Sequence, residues 1–387
     1  MVDRSGAVMK RAAALSVCAA LACAARIAAA DEMDPAIERF VDPTSALCRD
    51  RGMPGPGTYT PDPPAPAPQL LNSAVGRNWC VADDASFKRL ISQWGYAFAP
   101  SAMHSARTTG FGGFHLSIEG VYTDIDQDAD YWKKGTRGAV DPTTKIASNE
   151  NDSVPSILQL YSLKFRKSFG FGLEITGVVG FMPKTRFFSG GADVRLSLLE
   201  GFRKKVPGFI PDIAVGGGVR TLTGTPEFQL TVAGLDAQIS KPLAIADSSI
   251  ITPWVGFQYI WIFGDSGLVD LTPATDAVEY CNMTGINTPD NPDPTKPGVN
   301  DGQPVCRGGS PLDFNNHIVF NNARLERQRL LLGLNYRYEY LMLGGEFITD
   351  LVAPADAQVG AGSAEDKQIL AGMPKQWSLV FEIGGMF

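Results

Sequence analysis

Acidic and basic residues recur at every second position of several segments whose intervening residues are apolar. Side chains at every second position of a β-strand point to the same face, so these charges would share one side of a sheet. Positive and negative members are nearly balanced, and enclosed charges are costly unless they are paired. The pattern therefore predicts either a salt-bridge network that fills an enclosed space or the lining of a small polar pore. The residues are Glu119, Lys164, Arg166, Glu174, Asp193, Arg195, Asp212, Arg220, Arg329, Arg337, Glu339, Glu346 and Glu382.

A second group of residues has the types needed for nucleophilic catalysis. Ser266 lies in the run Gly-Asp-Ser-Gly, and His317 and Asp313 follow at the far end of the same long segment. A serine nucleophile needs such a base and an orienting acid. However, Gly-Asp-Ser-Gly directly after a strand is above all a turn sequence. The hydrolase is therefore the minor hypothesis, and the sequence favours a protein that is not an enzyme and has no cofactor.

Four aspartates alternate after the first apolar-periodic segment, namely Asp124, Asp126, Asp128 and Asp130. On one face of a continuing strand they could hold a hard cation. The calcium-loop pattern fails, because Ala129 replaces the required glycine and Gly135 occupies the position of the bidentate glutamate. A solvated acidic loop is favoured. His104 and His115 have no ligand spacing, and His115 with Glu119 fits a polar network better than a metal site.

The composition limits the class of protein to which this chain can belong. Only 19% of its 387 residues are charged, whereas a soluble surface carries roughly 25–35% charged residues. The formal net charge of -7 and the lack of a basic stripe argue against nucleic-acid binding. No stretch of 18 apolar residues follows residue 30, so no transmembrane helix is expected.

The N-terminal part divides into three predicted segments. Residues 1–30 have the basic start, the short apolar run and the Ala-Ala-Ala end of a secretory signal peptide. Residues 31–75 form a tail rich in Pro and Gly that cannot bury enough surface to fold alone. Residues 76–111 hold a short amphipathic helix, with Phe87, Leu90, Ile91 and Trp94 at i, i+3, i+4 and i+7, and a connector.

Alternation with a period of two then predicts about ten strands, with eight to twelve possible. Their approximate ranges are 114–123, 157–167, 171–181, 188–198, 212–222, 227–240, 250–263, 329–340, 343–347 and 376–387. In the sixth strand the alternation changes phase near Gly234, which predicts a β-bulge. The long segments between strands all follow odd-numbered strands, and the connections after even-numbered strands are all short.

The last strand ends in an aromatic residue, and one of its faces carries Trp377, Phe381 and Phe387. Together with the export signal and the alternating strands, this resembles the outer-membrane β-barrel class of Gram-negative bacteria over residues 112–387. The stretch Ser105–Phe114 also resembles uncharacterised barrel proteins of myxobacteria and related groups, with no characterised activity attached. The resemblance implies that the outer-membrane assembly machinery reads the last strand, with Trp377, Phe381 and Phe387 as the signal.

The resemblance implies a transmembrane antiparallel up-and-down barrel in contact with membrane lipid and lipopolysaccharide. Short turns belong in the periplasm and long loops outside, so the tail of residues 31–75 and Phe387 are both expected in the periplasm. The helix either packs against the periplasmic mouth or enters the lumen as a plug. The rival is a soluble barrel with its apolar face inward, which is disfavoured because the polar faces are mixed with Gly, Ser and Ala.

The expected function is that of a channel or structural barrel that admits small polar solutes at most. A ten-stranded barrel is only slightly wider than the eight-stranded kind that side chains fill, so a filled lumen is favoured over an open pore. The alternative is a surface interaction protein that acts through its long loops. Four cysteines remain after the signal peptide, and their simplest pairing is Cys48 with Cys80 and Cys281 with Cys306, one of three possible connectivities.

Overall fold

The computed structural model describes residues 31–41, 82–102, 104–139, 150–200, 210–246, 248–271, 280–283, 304–307, 317–360 and 363–387. The α-helices are α1 (Asp84–Phe98), α2 (Asp130–Gly135) and α3 (Ser363–Leu370), and two short 3-10 helices span Ile37–Arg39 and Gly170–Gly172. The strands are β1 (Phe114–Asp124), β2 (Ile157–Ser168), β3 (Leu173–Phe181), β4 (Phe188–Leu199), β5 (Asp212–Thr223), β6 (Phe228–Ser240), β7 (Leu243–Ala246), β8 (Ser249–Ser266), β9 (Val269–Asp270), β10 (Tyr280–Met283), β11 (Pro304–Arg307), β12 (His317–Ile318), β13 (Ala323–Tyr338), β14 (Leu341–Asp350) and β15 (Trp377–Met386). No helix in these ranges is long and apolar enough to cross a membrane.

Ten of the described strands pair antiparallel in sequence order and close on themselves. The ring runs β1-β2-β3-β4-β5-β6-β8-β13-β14-β15, and β15 pairs back with β1 through Val121 opposite Val380. The short strand β7 pairs with β8. Closure gives each strand two partners and leaves the ring without an unpaired edge. The predicted ten-stranded antiparallel barrel is confirmed.

The outer face of the barrel is apolar, whereas the inner face carries the buried charged side chains. In β1, Ile118 points outward and is 60% exposed, whereas its neighbours Ser117 and Glu119 point inward and are buried. The same division holds for other outward residues, which include Leu163, Phe165, Val179, Val194, Leu235, Phe257, Leu334 and Phe381. This is the reverse of a soluble barrel, whose outer face must be polar.

The two ends of the barrel differ in their connections. At one end the strands are joined by residues 169–172, 200–211, 241–248 and 339–340. At the other they are joined by residues 125–156, 182–187, 224–227, 267–322 and 351–376. We name these the short-turn end and the long-loop end. Phe114 and Phe387 lie at the short-turn end, where the Phe387 N–H donates to the Phe114 carbonyl at 2.7 Å.

The bulge predicted near Gly234 is wrong. In β6, Gly234 pairs regularly with Gly218 of β5 and with Ile260 of β8. The change of phase arises because the apolar residues of β6 switch faces: Phe228, Leu230 and Val232 are buried inside the barrel, whereas Leu235 and Ile239 point outward. An irregular register occurs instead in β4, between Ser197 and Leu199.

The described part of the N-terminal tail, residues 31–41, lies at the long-loop end. The Met33 N–H donates to the Lys184 carbonyl at 3.0 Å, and the Ala36 N–H donates to the Gly135 carbonyl at 3.0 Å. The expectation that the tail and Phe387 lie on the same side of the membrane is therefore wrong for residues 31–41, because the chain crosses the barrel between them. Residues 42–81 of the tail lie outside the described ranges.

Candidate functional site

The long-loop half of the lumen is occupied by α1, which lies inside the barrel rather than at a mouth. The helix begins at the long-loop rim, where Asp83 accepts a hydrogen bond from the Ser86 N–H at 3.0 Å and Asp84 accepts one from the Asn321 side chain at 2.7 Å. Its apolar residues pack against the inner wall, and Trp94 is 0% exposed. Because the wall surrounds the helix, even Ser92 and Gln93 are buried.

Aromatic rings fill the space between α1 and its surroundings. The Trp94 ring stacks on Phe228 with centroids 5.2 Å apart, and it meets Phe187 edge-on at 4.9 Å and Trp132 at 5.6 Å. Buried aromatic contacts of this kind contribute about 0.5–1.5 kcal/mol each beyond the burial of apolar area. The long-loop half of the lumen therefore resembles the core of a soluble domain more than a channel.

The helix approaches the wall most closely at two glycines. A Cβ on Gly95 of α1 would lie within 3 Å of the Ile262 side chain on β8, and a Cβ on Gly264 would lie 2.5 Å from a methyl group of Ile91. Each glycine thus makes room for an isoleucine of the other element. This matched pair of contacts fixes the depth at which α1 sits in the lumen.

Charged groups also hold the helix. Arg327 of β13 forms a buried ion pair with Asp350, donates to Ser92 Oγ at 2.8 Å, and places its guanidinium 4.9 Å from the Tyr96 ring centroid. Lys88 of α1 pairs with Asp366 of α3 at 2.8 Å. Burial alone would lower the pKa of Lys88, but the Asp366 and Glu365 carboxylates together outweigh burial and raise it.

Arg329 marks the point at which the helix ends and the connector begins. Its guanidinium donates to the Tyr96 carbonyl at 3.3 Å and to the Pro100 carbonyl at 2.6 Å, and it also bonds Gln258. The carbonyl groups at a helix C-terminus carry partial negative charge, so a buried cation here stabilises the helix end.

The connector, residues 99–113, passes lengthwise through the polar half of the lumen. Ser101 donates to Glu119 at 2.7 Å and accepts from Lys164 Nζ at 2.6 Å. Arg195 donates to the carbonyls of Ala102 and His104 at 3.2 and 3.0 Å. The wall therefore supplies charged partners to the backbone of the connector, which has no helix or sheet of its own to satisfy it.

After these contacts, the connector continues to the short-turn end. His104 Nε2 lies 3.0 Å from Glu174 Oε1, and Arg107 pairs with Asp212 at 3.0 Å. The Thr109 N–H donates to Ser168 Oγ at 3.2 Å. Gly110 and Gly112 then adopt φ of +92° and +78°, left-handed values that favour glycine, and reverse the chain into β1.

Most residues predicted to face the lumen are found there. The buried ones are Glu119, Lys164, Arg166, Glu174, Arg195, Asp212, Arg220, Arg329, Glu346 and Glu382. Asp193 is half-buried and pairs with Arg220 at 2.7 Å. Arg337 is exposed at the short-turn end but lines the cavity that also contacts Arg107, as its inward phase predicts. The prediction is wrong for Glu339, because β13 ends at Tyr338 and Glu339 lies exposed in the following turn.

Two functional positions escaped the sequence analysis. Arg327 and Asp350 form the buried pair that holds the middle of α1, but both lie beyond the strand ends predicted for β13 and β14. The phase of Arg327, two residues before Arg329 in the same alternation, is the signal that could have found it. Asp350 has the same phase as Glu346.

The other candidate sites are not assembled in the described structure. Ser266 Oγ accepts a hydrogen bond from the Phe320 N–H at 2.8 Å, and the register of β9 and β12 places His317 opposite Asp270. Asp313 lies outside the described residues. β1 ends at Asp124, so the four aspartates do not continue one strand face. No group of three or more side chains suited to a metal ion occurs in the described ranges.

The cysteine pairings stay predictions. Cys281 lies directly opposite Cys306 in the backbone register of β10 and β11. Cys48 and Cys80 lie outside the described residues. Val41 and Ala82, which flank the segment containing them, form an isolated antiparallel bridge.

Two cavities lie beside the connector in the described part of the chain. One cavity beside Ser101 and His104 has a volume of about 20 Å³, which holds about one water molecule. A second, nearer the short-turn end and lined by Arg107 and Thr252, has a volume of about 80 Å³. These volumes fit isolated waters rather than a hydrated path for solutes.

Comparisons with known proteins show only distant similarity. No protein-family model matches the sequence, and no curated protein matches it. Among solved structures, Ail of Yersinia pestis matches at 10% identity over 72% of this chain and 100% of its own, with a TM-score of 0.21. Omp33 of Acinetobacter baumannii matches at 7% identity over 71% and 98%, with a TM-score of 0.23. OpdK of Pseudomonas aeruginosa matches at 10% identity over 72% and 100%, with a TM-score of 0.14. The assignment of the fold therefore depends on the strand pairing itself.

Proposed function

We propose that this chain is an outer-membrane β-barrel whose lumen is closed at rest by its own N-terminal segment. The observation that carries the proposal is the continuous occupation of the lumen, by α1 in the long-loop half and by the connector in the polar half. Small polar solutes pass only if the connector leaves its place and α1 also shifts in the long-loop half. The apolar outer face supports the membrane location, since lipid is the solvent that such a face requires.

The membrane location makes a prediction about the outer face. Ile118→Lys places a charge in the middle of β1 on the outer side, where a lipid-facing lysine at the bilayer midplane costs about 2–4 kcal/mol. We expect that loss in the free energy of unfolding, measured by urea titration in lipid vesicles. Leu268→Lys is the matched control, because Leu268 is exposed in the long-loop region beyond β8 and its change should cost under about 1 kcal/mol. Equal effects of the two substitutions would contradict the membrane location.

The closed lumen is tested by single-channel conductance of the protein in a planar bilayer. We expect no steady current from the unmodified protein. Ala106→Cys with Ser240→Cys places two thiols on neighbouring residues of the connector and the wall, since the Ala106 N–H donates to Ser240 Oγ at 3.1 Å. Protein in which peptide mapping finds the resulting disulfide has its connector held to the wall. Any brief openings should vanish in the oxidised variant and return on reduction. A steady current that is the same in both redox states would overturn the proposal.

A second function is favoured by the folded structure at the long-loop end. Residues 31–41 pack there with α2 around Ile37, Phe40 and Trp132, each at most 1% exposed. Such a cap gives the outer surface a fixed shape, which suits a protein that binds a ligand or another cell through its loops. Binding of the protein to lipopolysaccharide vesicles or to host cells, lost when the cap is removed, would support this role.

The assembly machinery is proposed as a partner during insertion. Trp377 begins β15 and stacks with Phe347 at 6.3 Å, while Phe381 points outward and Phe387 stacks with Tyr340 at 6.2 Å. All three are available on the last strand before the barrel closes. Their role as an assembly signal stays a prediction, as does the absence of an enzymatic activity.

A further inference from the structure

The chain crosses the barrel lengthwise before its first strand begins. At the long-loop rim, Asp84 contacts Asn321. At the short-turn end, Thr109 contacts Ser168 and Glu174. Everything that precedes α1 in the described structure is therefore on the opposite side of the barrel from the start of β1.

We infer that residues 31–41 and the start of α1 are displayed on the outer side of the membrane, and that the connector is a strap threaded through the lumen from outside to inside. The inference depends on the proposed membrane location. In barrels of this kind the short turns face the periplasm and the longer loops face outward. The long-loop end, with residues 31–41 built into it, is then the outer end.

The outer position of residues 31–41 is fixed by specific contacts on three sides. Asp34 pairs with Arg186 of the β3–β4 turn at 3.1 Å. Arg39 donates to the Thr136 carbonyl, just after α2, at 3.0 Å. The Phe40 ring meets Phe320 edge-on at 6.3 Å. Withdrawing this segment through the lumen would break all of these contacts, so it belongs to the fold of the outer end.

The threading also constrains how the barrel forms. Residues 31–41 with α1 are far wider than the passage around the connector, where the cavity beside Ser101 holds about one water molecule. Once folded, they cannot be withdrawn through a closed barrel. If residues 31–41 and α1 fold first, the seam between β1 and β15, from His115–Met386 to Thr123–Ser378, closes around them. Strand pairing then traps the strap.

The position of residues 31–41 is tested by labelling single cysteines on intact cells with a membrane-impermeant maleimide, in a background whose native cysteines are replaced by serine. Glu32→Cys reports on the displayed segment. Lys184→Cys, with a side chain 59% exposed at the long-loop end, reports on that end. Ser248→Cys, exposed between β7 and β8, reports on the short-turn end. We expect the first two to label in intact cells and the third to label only after the outer membrane is permeabilised.

Two other labelling patterns would overturn the inference. If Lys184→Cys labels but Glu32→Cys requires permeabilisation, the segment is not at the outer end. If Ser248→Cys alone labels in intact cells, the long-loop end faces inward and the segment is not displayed. Neither pattern alters the conductance result, so failure of this inference is distinguishable from failure of the closed-lumen proposal.

A second measurement covers the case in which the cysteine-free background does not fold. The Ala106→Cys, Ser240→Cys variant retains the native cysteines, and oxidation in cells should link residues 106 and 240. Peptide mapping without reduction identifies the link. Its presence supports a strap that runs along the lumen wall, whereas folded protein in which residue 106 is linked only to native cysteines would contradict threading.

Discussion

Trp94→Ala is expected to lower the free energy of unfolding by about 3–5 kcal/mol, the range for truncating a buried tryptophan. Trp94 is 0% exposed and contacts Phe187, Phe228 and Trp132, which come from the wall and from the loops above it. No other side chain of α1 touches as many aromatic partners in the described structure. Its removal leaves a cavity at the centre of the upper lumen that the rigid barrel wall cannot collapse to fill.

The measurement is urea-induced unfolding in lipid vesicles, followed by tryptophan fluorescence and by resistance to protease. Trp261→Ala is the matched control, because Trp261 lies on the outer face of β8 and its ring contacts Tyr259 at 4.8 Å. Loss of that contact should cost about 1 kcal/mol. If the two substitutions cost the same, α1 does not contribute to the stability of the barrel.

Arg195→Met is expected to raise the fraction of time in which the lumen conducts by about 10- to 100-fold. Arg195 donates to two connector carbonyls and pairs with Asp236 at 3.4 Å. Hydrogen bonds to a charged group contribute about 1.5–3 kcal/mol, and each 1.4 kcal/mol changes an equilibrium tenfold. Methionine retains most of the volume while removing every donor, so the connector loses its partners without a large cavity.

Arg220→Met is the matched control for this experiment. Arg220 is similarly buried and also forms an ion pair, but its hydrogen bonds go to Asp193 and to the Val219 carbonyl on the wall. It should lower stability without producing current bursts. The measurement is the frequency of current bursts in single-channel recordings of both variants. Equal bursts would show that loosening the wall, rather than releasing the connector, opens the lumen.

The two halves of the lumen therefore differ in what can move. Contacts of the connector are hydrogen bonds and ion pairs, and water that enters the lumen can replace them one by one. Contacts of α1 are apolar and aromatic, and water offers no replacement for them. If a path opens, we expect the polar half to rearrange first and α1 to shift afterwards, because α1 fills the long-loop half of the lumen.

The placement of residues 31–41 also changes which surface is available to partners. A tail in the periplasm would meet periplasmic proteins, whereas a segment at the outer end forms one surface with α2 and with the loop that contains α3. The ion pair between Lys88 of α1 and Asp366 of α3 connects this surface to the helix inside the lumen. A ligand that binds the outer surface therefore contacts elements that are continuous with the connector.

The amino-acid sequence by itself determined the barrel, its strand number and the inner position of most charges. The reason is local: a period of two separates the faces of each strand, and a lipid-facing surface excludes charge, so the outward set is readable without tertiary contacts. The alternation did not predict the inward residues of β6 near the long-loop end. There Phe228, Leu230 and Val232 are apolar yet face inward, because a helix, not water, fills the lumen beside them.

Only the tertiary structure decided which groups the inner charges contact and at which end of the barrel residues 31–41 lie. Ser101 lies between Glu119 and Lys164, and no spacing in the sequence links a connector serine to two strands. The helical period of Phe87 to Trp94 predicts an apolar face but not the wall on which it packs. The position of residues 31–41 at the long-loop end depends on threading, and threading is a property of the closed ring that no local pattern encodes.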